Sequence, residues 1–216
     1  MKKLLMVLVV LAMSSTAAAQ SDRGGMWEFG LMLNHTNSES LSAEMGSSLD
    51  IESARGYGLN LAYNFNSRLA IGGEFNWSSP DYSAVIVPDG IGLPQTINHR
   101  LDTYTFAIKG TLNLLEGPIT PYVEAGLGWT DIDSNVQDQP PVTGCWWDPW
   151  WGYICDTFFS TYSKSQESFS GAAGVRWDLD NGLTLKAAYG LLNVKASRAS
   201  GDANFDMYRV DLAWRF

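Results

Sequence analysis

The sequence predicts an all-β protein, an eight-stranded antiparallel up-and-down transmembrane β-barrel, and three observations support this fold class. First, the last twelve residues, Phe205 to Phe216, alternate between large apolar and polar or small side chains, as a strand with one apolar face does. Second, the same alternation recurs in seven earlier segments behind a secretory signal. Third, short and long connections alternate along the chain, which is typical of barrels that cross an outer membrane.

The first nineteen residues have the three regions of a cleavable signal peptide. Two lysines form a basic start, Leu4 to Met13 form an apolar segment, and three alanines end at Ala19. The apolar segment is too short to span a bilayer as a helix. We therefore expect cleavage before Gln20, with residues 1–19 as the signal peptide and residues 20–216 as an outer-membrane β-barrel with long extracellular loops.

Charge and hydropathy argue against two other classes of protein. The chain has 216 residues and a formal net charge of -9, and removal of the two lysines in the signal peptide makes the charge about -11. An acidic chain does not favour nucleic-acid binding. The mean hydropathy of -0.09 is too low for a helical membrane protein, and it fits a barrel in which only alternate strand positions are apolar.

The first four predicted strands cover the N-terminal half of the chain. They span Met26 to Thr36, Arg55 to Phe65, Leu69 to Ser78 and Asp102 to Leu112. In each, aromatic or aliphatic residues occupy most of the alternate positions; in the first strand, Trp27, Phe29 and Leu31 alternate with Glu28 and Gly30. Each strand has about ten residues, which is enough for a tilted crossing of the hydrocarbon layer.

The last four predicted strands follow the same pattern. They span Ile119 to Thr130, Gln166 to Asp178, Leu183 to Val194 and Phe205 to Phe216. Short turns follow strands two, four and six, and the sequence Asp180-Asn181-Gly182 is a hairpin signal. Longer connections follow strands one, three, five and seven. We therefore expect both chain ends and the short turns on the periplasmic side, with the long loops outside the cell.

The two faces of the predicted strands differ in charge. One face is nearly free of charge in all eight strands, while the other carries acids and bases among many glycines. Alternation alone also fits a soluble β-sandwich or a lipocalin-like barrel, which bury the apolar face inside. Because small residues and paired charges can fill a narrow lumen, we favour a membrane barrel with its apolar face toward lipid.

The C-terminus carries the most specific family resemblance. Phe216 ends the chain, with Leu212, Val210 and Tyr208 in phase before it. With the eight strands, Met26 to Phe216 resembles the small outer-membrane barrels of Gram-negative bacteria, the group of the OmpA transmembrane domain, OmpX and the opacity antigens. The resemblance implies that these four residues form the signal for the outer-membrane assembly machinery. It also implies an integral outer-membrane protein in contact with lipid and lipopolysaccharide.

The charged face defines a first candidate site, a network inside the barrel. The predicted lumen residues are Glu28, Glu74, Lys109, Glu124, Arg176, Lys186, Arg209 and Asp211. An eight-stranded barrel has an interior that side chains can fill, and buried charges are costly unless they are paired. The sequence therefore predicts a plug of salt bridges. The alternative is a gated, low-conductance pore lined by the same side chains apart from Asp211.

The fifth connection holds a second candidate site. It contains the only two cysteines, Cys145 and Cys155, and the oxidising compartment that an exported protein meets predicts a disulfide between them. Trp146, Trp147, Trp150, Trp151 and Tyr153 lie between the cysteines. Exposed aromatic clusters usually mark contact surfaces, so these rings are candidates for binding an extracellular ligand. The alternative is that they fold over the barrel mouth or rest at the lipopolysaccharide interface.

Three functions from different classes are compatible with this sequence, because the fold hosts many activities. We favour a structural or surface-interaction barrel with the extracellular loops as its contact surface. The first alternative is a narrow pore, and the second is a lipid-modifying enzyme, which would need a nucleophile, a histidine and an acid together. The only histidines, His35 and His99, lie in no recognisable motif of that kind. We therefore expect a non-enzyme without catalytic residues, cofactor or metal.

Overall fold

The structure is a computed structural model that describes residues 23–42, 47–86, 93–179, 181–196 and 201–216. Within these ranges there is no helix that is long and apolar enough to cross a membrane. The predicted signal peptide, residues 1–19, lies outside the described residues and stays a prediction. Asp180 of the predicted hairpin signal also lies outside them, while Gly182 takes the left-handed conformation, with φ of 80°, that this turn requires.

Fourteen strands occur in the described part of the chain. They are β1 (Trp27–Thr36), β2 (Glu39–Ser42), β3 (Ser48–Ile51), β4 (Ala54–Asn64), β5 (Leu69–Ser78), β6 (Asp81–Ile86), β7 (Gln95–Arg100), β8 (Asp102–Asn113), β9 (Ile119–Gln137), β10 (Val142–Asp148), β11 (Gly152–Phe158), β12 (Thr161–Asp178), β13 (Leu183–Val194) and β14 (Ala203–Arg215). Eight of them form a closed antiparallel barrel in the order β1-β14-β13-β12-β9-β8-β5-β4. This is the fold class that the sequence predicts.

The barrel closes where its first and last strands meet. Strands β1 and β14 pair along their length, with Leu31 opposite Leu212. At the end of this seam, Trp27 and Phe216 exchange two backbone hydrogen bonds of 2.9 and 3.0 Å. Closure removes the free strand edges that hydrocarbon could not solvate.

The barrel turns the apolar face of its strands outward and the charged face inward. Leu127 is 58 % exposed, and Phe75 and Trp214 also project from the outer surface. Arg209 is 4 % exposed, and Lys109 is likewise buried inside the barrel. A soluble barrel would have the opposite arrangement. The predicted membrane barrel is therefore confirmed.

The barrel strands follow the predicted boundaries, with one clear departure. The bounds of β5 and β13 are as predicted. Strands β9 and β12 are longer than predicted, because they continue past Thr130 and begin before Gln166, and Ser163 still pairs with Asp133 in this extension. Beyond the hydrocarbon layer, water solvates both faces of a strand, so the ladder continues where apolar alternation stops. The prediction made these two strands too short.

The long connections contain two small sheets that the sequence analysis did not predict. Strands β2, β3, β6 and β7 form one sheet, and β10 pairs with β11 in the other. In the four-stranded sheet, Ile51 and Tyr82 pack with Leu101 in a buried apolar cluster. The Tyr82 hydroxyl donates a 3.1 Å hydrogen bond to the carbonyl of Ser134. Burial raises the pKa of Tyr82, which keeps this hydroxyl protonated.

Candidate functional sites in the lumen and the loops

The middle of the lumen holds a cluster of charges that joins opposite walls of the barrel. Lys109 on β8 lies 2.6 Å from Glu74 on β5 and 3.2 Å from Glu124 on β9. Arg209 on β14 lies 2.6 Å from Glu124 and 3.1 Å from Glu74. It also binds Asp211 on its own strand at 3.0 Å. Each of these side chains is at most 9 % exposed.

The position of Arg209 makes this cluster a barrier across the lumen. In the circular strand order, β14 is three strands away from β5 in one direction and three strands away from β9 in the other. The guanidinium of Arg209 therefore reaches across the interior to Glu74 and Glu124. Several charge-assisted hydrogen bonds hold it there, which satisfies donors and acceptors that would be costly to bury alone.

A second cluster lies toward the end of the lumen with the short turns, which is the predicted periplasmic end. Glu28 on β1 binds Arg176 on β12 at 2.6 Å, and it also pairs with Lys186 on β13. Strands β1 and β12 are three positions apart, so this pair also crosses the lumen. Arg176 binds Asp178 at 2.8 Å, and Asp178 accepts a 2.8 Å hydrogen bond from Thr184. The eight predicted lumen residues thus lie inside the barrel in two paired clusters.

Arg23 closes the periplasmic end, and sequence reasoning missed it. Its side chain is fully buried and pairs with Asp178. It also donates hydrogen bonds to the carbonyls of Ser67 at 2.9 Å, Leu115 at 3.4 Å and Gly117. These carbonyls belong to two different periplasmic turns. A charged residue that precedes the first strand gives no periodic signal, so alternation could not reveal this role.

Replacement of Arg23 by Ala is expected to lower the free energy of unfolding by about 3 kcal/mol, because buried acceptors in two turns would lose their donor. Urea unfolding of the protein in lipid vesicles, followed by tryptophan fluorescence, would measure the change. Arg68→Ala is the control, since Arg68 forms an exposed pair with Glu116, and we expect a loss of less than about 1 kcal/mol there. Equal losses in the two variants would contradict a sealing role for Arg23.

The predicted disulfide between Cys145 and Cys155 is present and closes the hairpin of β10 and β11. The two cysteines lie directly opposite each other in the register of the hairpin. At its tip, the Asp148 carboxylate accepts hydrogen bonds from the backbone N–H groups of Trp150 at 2.8 Å and Trp151 at 3.1 Å. The hairpin is therefore held at its tip and across its middle.

The aromatic side chains of the hairpin fall into two groups. Trp146 contacts the ring of Phe158 within the same hairpin, with 5.5 Å between ring centroids. The other four are strongly exposed, Trp150 at 80 %, and the group comprises Trp147, Trp150, Trp151 and Tyr153. They do not pack against the described part of the barrel. The arrangement is an apolar patch on a stiff support at the extracellular end.

Reduction of the Cys145–Cys155 disulfide is expected to loosen the hairpin and to leave the barrel intact, because β10 and β11 form a sheet separate from the barrel. Closure of so short a loop is worth about 2–3 kcal/mol on a chain-entropy estimate. Chymotrypsin should therefore cut the reduced hairpin faster, while the barrel keeps its heat-modifiable migration on gels. Labelling of Cys145 in unreduced, denatured protein would contradict the disulfide.

The two histidines do not form a catalytic group with each other. His35 faces outward on β1, opposite Tyr208 and Arg55. His99 lies in the loop sheet opposite Tyr82. In the described ranges, no group of three or more histidine, cysteine or acidic side chains could hold a metal ion.

The residues of the predicted assembly signal lie on the outer surface of β14 and at its end. Tyr208, Val210, Leu212 and Phe216 are all exposed. Strand β14 pairs with β13 on one side and with β1 on the other. These side chains therefore form an apolar row beside the seam that closes the barrel. Their recognition by assembly machinery stays a prediction.

Comparisons with known proteins agree with this geometry. The structure of OprG, an outer-membrane protein from Pseudomonas aeruginosa, superposes with a TM-score of 0.57 at 12% identity, and the match covers 92% of this chain and 99% of that one. Neisserial surface protein A gives a TM-score of 0.53 at 13% identity, with 87% and 97% covered. At these identities the likeness shows the fold alone.

Comparison with protein-family models assigns the chain to a family more directly than the structural likeness does. No curated protein matches the chain at a significant level. The family described as outer membrane protein beta-barrel domain matches residues 5–216, which is nearly the whole chain. This chain has an apolar outer surface, a closed strand order and a charged interior, and these are the features of a protein of the bacterial outer membrane. The chain belongs to the outer-membrane protein β-barrel domain family.

Proposed function

We propose that the protein is a sealed outer-membrane barrel whose extracellular loops form a contact surface, with the disulfide-closed hairpin as the main contact element. The observation that carries this proposal is the pairing of Arg209 with Glu74 and Glu124 across the lumen. A barrel closed in this way offers no open route for solutes. Its functional surface is then the part outside the membrane.

The charge balance of the interior supports a plug over a pore. In the described part of the chain, five acids and six bases form the ion pairs of the lumen, and they are Glu28, Glu74, Glu124, Asp178, Asp211, Arg23, Lys109, Arg176, Lys186, Arg209 and Arg215. A wet channel that selects ions would leave an excess of one sign. Here the charges nearly cancel, and loss of a partner from a buried pair costs about 3–5 kcal/mol.

The hairpin has the chemistry of an interaction surface. Tryptophan and tyrosine are enriched among the residues that contribute most to binding, because they bury a large area and lose few rotamers. Trp147, Trp150 and Trp151 are exposed on a support that a disulfide and the Asp148 carboxylate hold in place. A preorganised support reduces the entropy lost on binding. Contact with a partner outside the cell accounts for an apolar patch in this position.

The first test is conductance in planar bilayers. The purified barrel is expected to give no discrete single-channel steps, whereas an open porin in the same bilayer gives them. Regular steps that change in size when Glu124 is replaced by Gln would show that ions pass the central cluster. That result would favour the pore and overturn the plug.

The second test concerns the hairpin. Gram-negative cells that lack their own adhesins would display either the wild-type barrel or the variant Trp147→Ser/Trp150→Ser/Trp151→Ser. We expect the wild type to adhere to immobilised extracellular-matrix protein or heparin, and the variant to lose about tenfold or more. The matched control is Phe159→Ser/Tyr162→Ser, which changes exposed aromatic residues outside the hairpin. Cells that display this variant should adhere as the wild type does. Equal adhesion by the wild type and the hairpin variant would contradict the proposal.

A further inference from the structure

The apolar patch of the hairpin extends from one face of the two strands to the tip. Trp147 and Tyr153 lie opposite each other in the register, two positions beyond the disulfide. Because side chains alternate between the two faces of a strand, these rings and the disulfide share one face. A Cβ at Gly152 would lie 3.9 Å from the ring of Trp147, so this ring lies beside the turn that contains Trp150 and Trp151. The four exposed rings therefore form one surface at the end of the hairpin.

The chain around this patch is strongly acidic. Residues 131–163, which include the hairpin, contain five aspartates and neither lysine nor arginine. The first long connection, residues 37–53, adds four acidic residues and again no lysine or arginine. Together the two segments have a charge as large as the formal net charge of the whole chain, which is -9. The predicted extracellular side of the protein is therefore anionic.

Two of these carboxylates belong to the hairpin itself. Asp148 lies at the tip, where it accepts hydrogen bonds from the backbone N–H groups of Trp150 and Trp151. Asp156 is exposed and accepts a 2.7 Å hydrogen bond from the backbone N–H of Thr157. Neutral amides orient both carboxylates without cancelling their charge, and neither forms an ion pair within the described part of the chain. The tryptophan rings therefore lie in a negative electrostatic potential.

This potential discriminates between the partners that could cover the patch. Sulfated glycans and the phosphates of lipopolysaccharide are anionic, so the hairpin would repel them. Strand β9 also continues from Thr130 to Gln137, which adds up to about 20 Å beyond the lipid-facing rows at about 3.3 Å per residue. A zwitterionic membrane surface has no net charge that the carboxylates could attract. A cationic protein surface complements both the rings and the carboxylates.

We infer that the hairpin binds a basic, arginine-rich surface of another protein outside the cell. A guanidinium group can stack on the face of a tryptophan ring and can also pair with a carboxylate, and arginine does both better than lysine. The tip offers both contacts, because Trp150 and Trp151 adjoin Asp148. A basic partner presupposes the proposed function of the hairpin as a contact surface, and it specifies the charge of what the hairpin contacts.

The test uses the full barrel in nanodiscs of neutral phosphatidylcholine, at a salt concentration of about 150 mM, where the Debye length is about 8 Å. The probe is a labelled peptide in which arginine alternates with glycine, and binding is followed by fluorescence anisotropy. Two further peptides contain lysine or citrulline in place of every arginine; citrulline keeps the planar side chain and lacks the charge. We expect the arginine peptide to bind at least about tenfold more tightly than the citrulline peptide and about threefold more tightly than the lysine peptide. Equal affinity for the arginine peptide and either of the others would overturn the inference.

A pair of double variants locates the charge that matters. Asp148→Asn/Asp156→Asn removes both carboxylates of the hairpin and keeps oxygens that can accept the backbone hydrogen bonds. We expect it to weaken binding of the arginine peptide about threefold or more. The matched control is Asp50→Asn/Glu52→Gln, which removes two exposed charges from β3 and the residues after it and should bind as the wild type does. Equal losses in the two variants would show a general attraction to acidic loops and would overturn binding by the hairpin.

A tryptophan variant separates failure of this inference from failure of the contact surface itself. Trp147→Ser/Trp150→Ser/Trp151→Ser should weaken binding of the arginine peptide about tenfold. Heparin binding that needs these tryptophans, with no saturable binding of the arginine peptide, would keep the contact surface and overturn the basic partner. Tryptophan-dependent binding to phosphatidylcholine vesicles, without preference among the peptides, would assign the hairpin to a membrane and would also overturn it. A tryptophan variant that keeps both cell adhesion and peptide binding would overturn both proposals.

Discussion

Replacement of Arg209 by Met is expected to lower the free energy of unfolding by about 3–5 kcal/mol. After the substitution, Lys109 would be the remaining ion-pair partner of Glu74 and Glu124. Asp211 would lose its only ion-pair partner in the described chain. Carboxylates that are buried in the lumen without a counter-ion must either be hydrated by water that enters the lumen or become protonated. Urea unfolding in lipid vesicles would measure the loss, and planar bilayers would detect ion passage through the hydrated lumen.

Two controls make this experiment specific. Arg55→Met removes an exposed arginine near the extracellular end of β4 and is expected to change stability by less than about 0.5 kcal/mol. The double variant Arg209→Met/Glu124→Gln removes a negative charge together with its partner, and it should recover part of the lost stability if the two side chains interact. Arg209→Met with wild-type stability would show that the central cluster does not hold the barrel together.

Replacement of Gly128 by Ala is expected to have an effect of similar size. Gly128 faces inward on β9, where it pairs with Ala107 of β8 and with Ser168 of β12. A Cβ at this position would overlap the backbone carbonyl oxygen of Phe106 and would lie 2.6 Å from Cα of Ala107. Backbone atoms of a closed barrel cannot rotate away as a flexible side chain can. We expect a loss of about 3 kcal/mol, at the upper end for overpacking.

Gly110→Ala provides the matched control, because Gly110 is an outward-facing glycine on neighbouring β8 whose Cβ would meet no atom within 4 Å. We expect it to be neutral or to stabilise the strand by about 0.5 kcal/mol, since alanine loses less backbone entropy than glycine. The measurement is the fraction of each variant that folds into vesicles with heat-modifiable migration, followed by urea unfolding. Equal folding of the two alanine variants would refute close packing at Gly128.

Local alternation was enough to predict most of the barrel. The bounds of Leu69–Ser78 and Leu183–Val194 follow from the sequence because side chains facing lipid must be apolar at every second position. The same rule placed Lys109 and Arg209 inside. The disulfide was predictable because an exported chain with two cysteines near each other has one pairing available.

Other features of the structure leave no pattern in the local sequence from which they could be predicted. Arg23 precedes the first strand, its turn partners lie 44 to 94 residues away in sequence, and Asp178 at the end of β12 lies 155 residues away. The loop strands have only four to seven residues each. They gain stability from one another, as the cluster of Ile51, Tyr82 and Leu101 shows.

The amino-acid sequence by itself determined the class of fold, the face that each barrel strand turns to lipid and eight of the charges inside, because all three depend on a two-residue period along a single strand. Only the tertiary structure decided which charges meet and that Arg209 crosses the lumen. Those contacts join strands that are distant in sequence. The register and closure of the whole barrel set them, and no local pattern encodes that geometry.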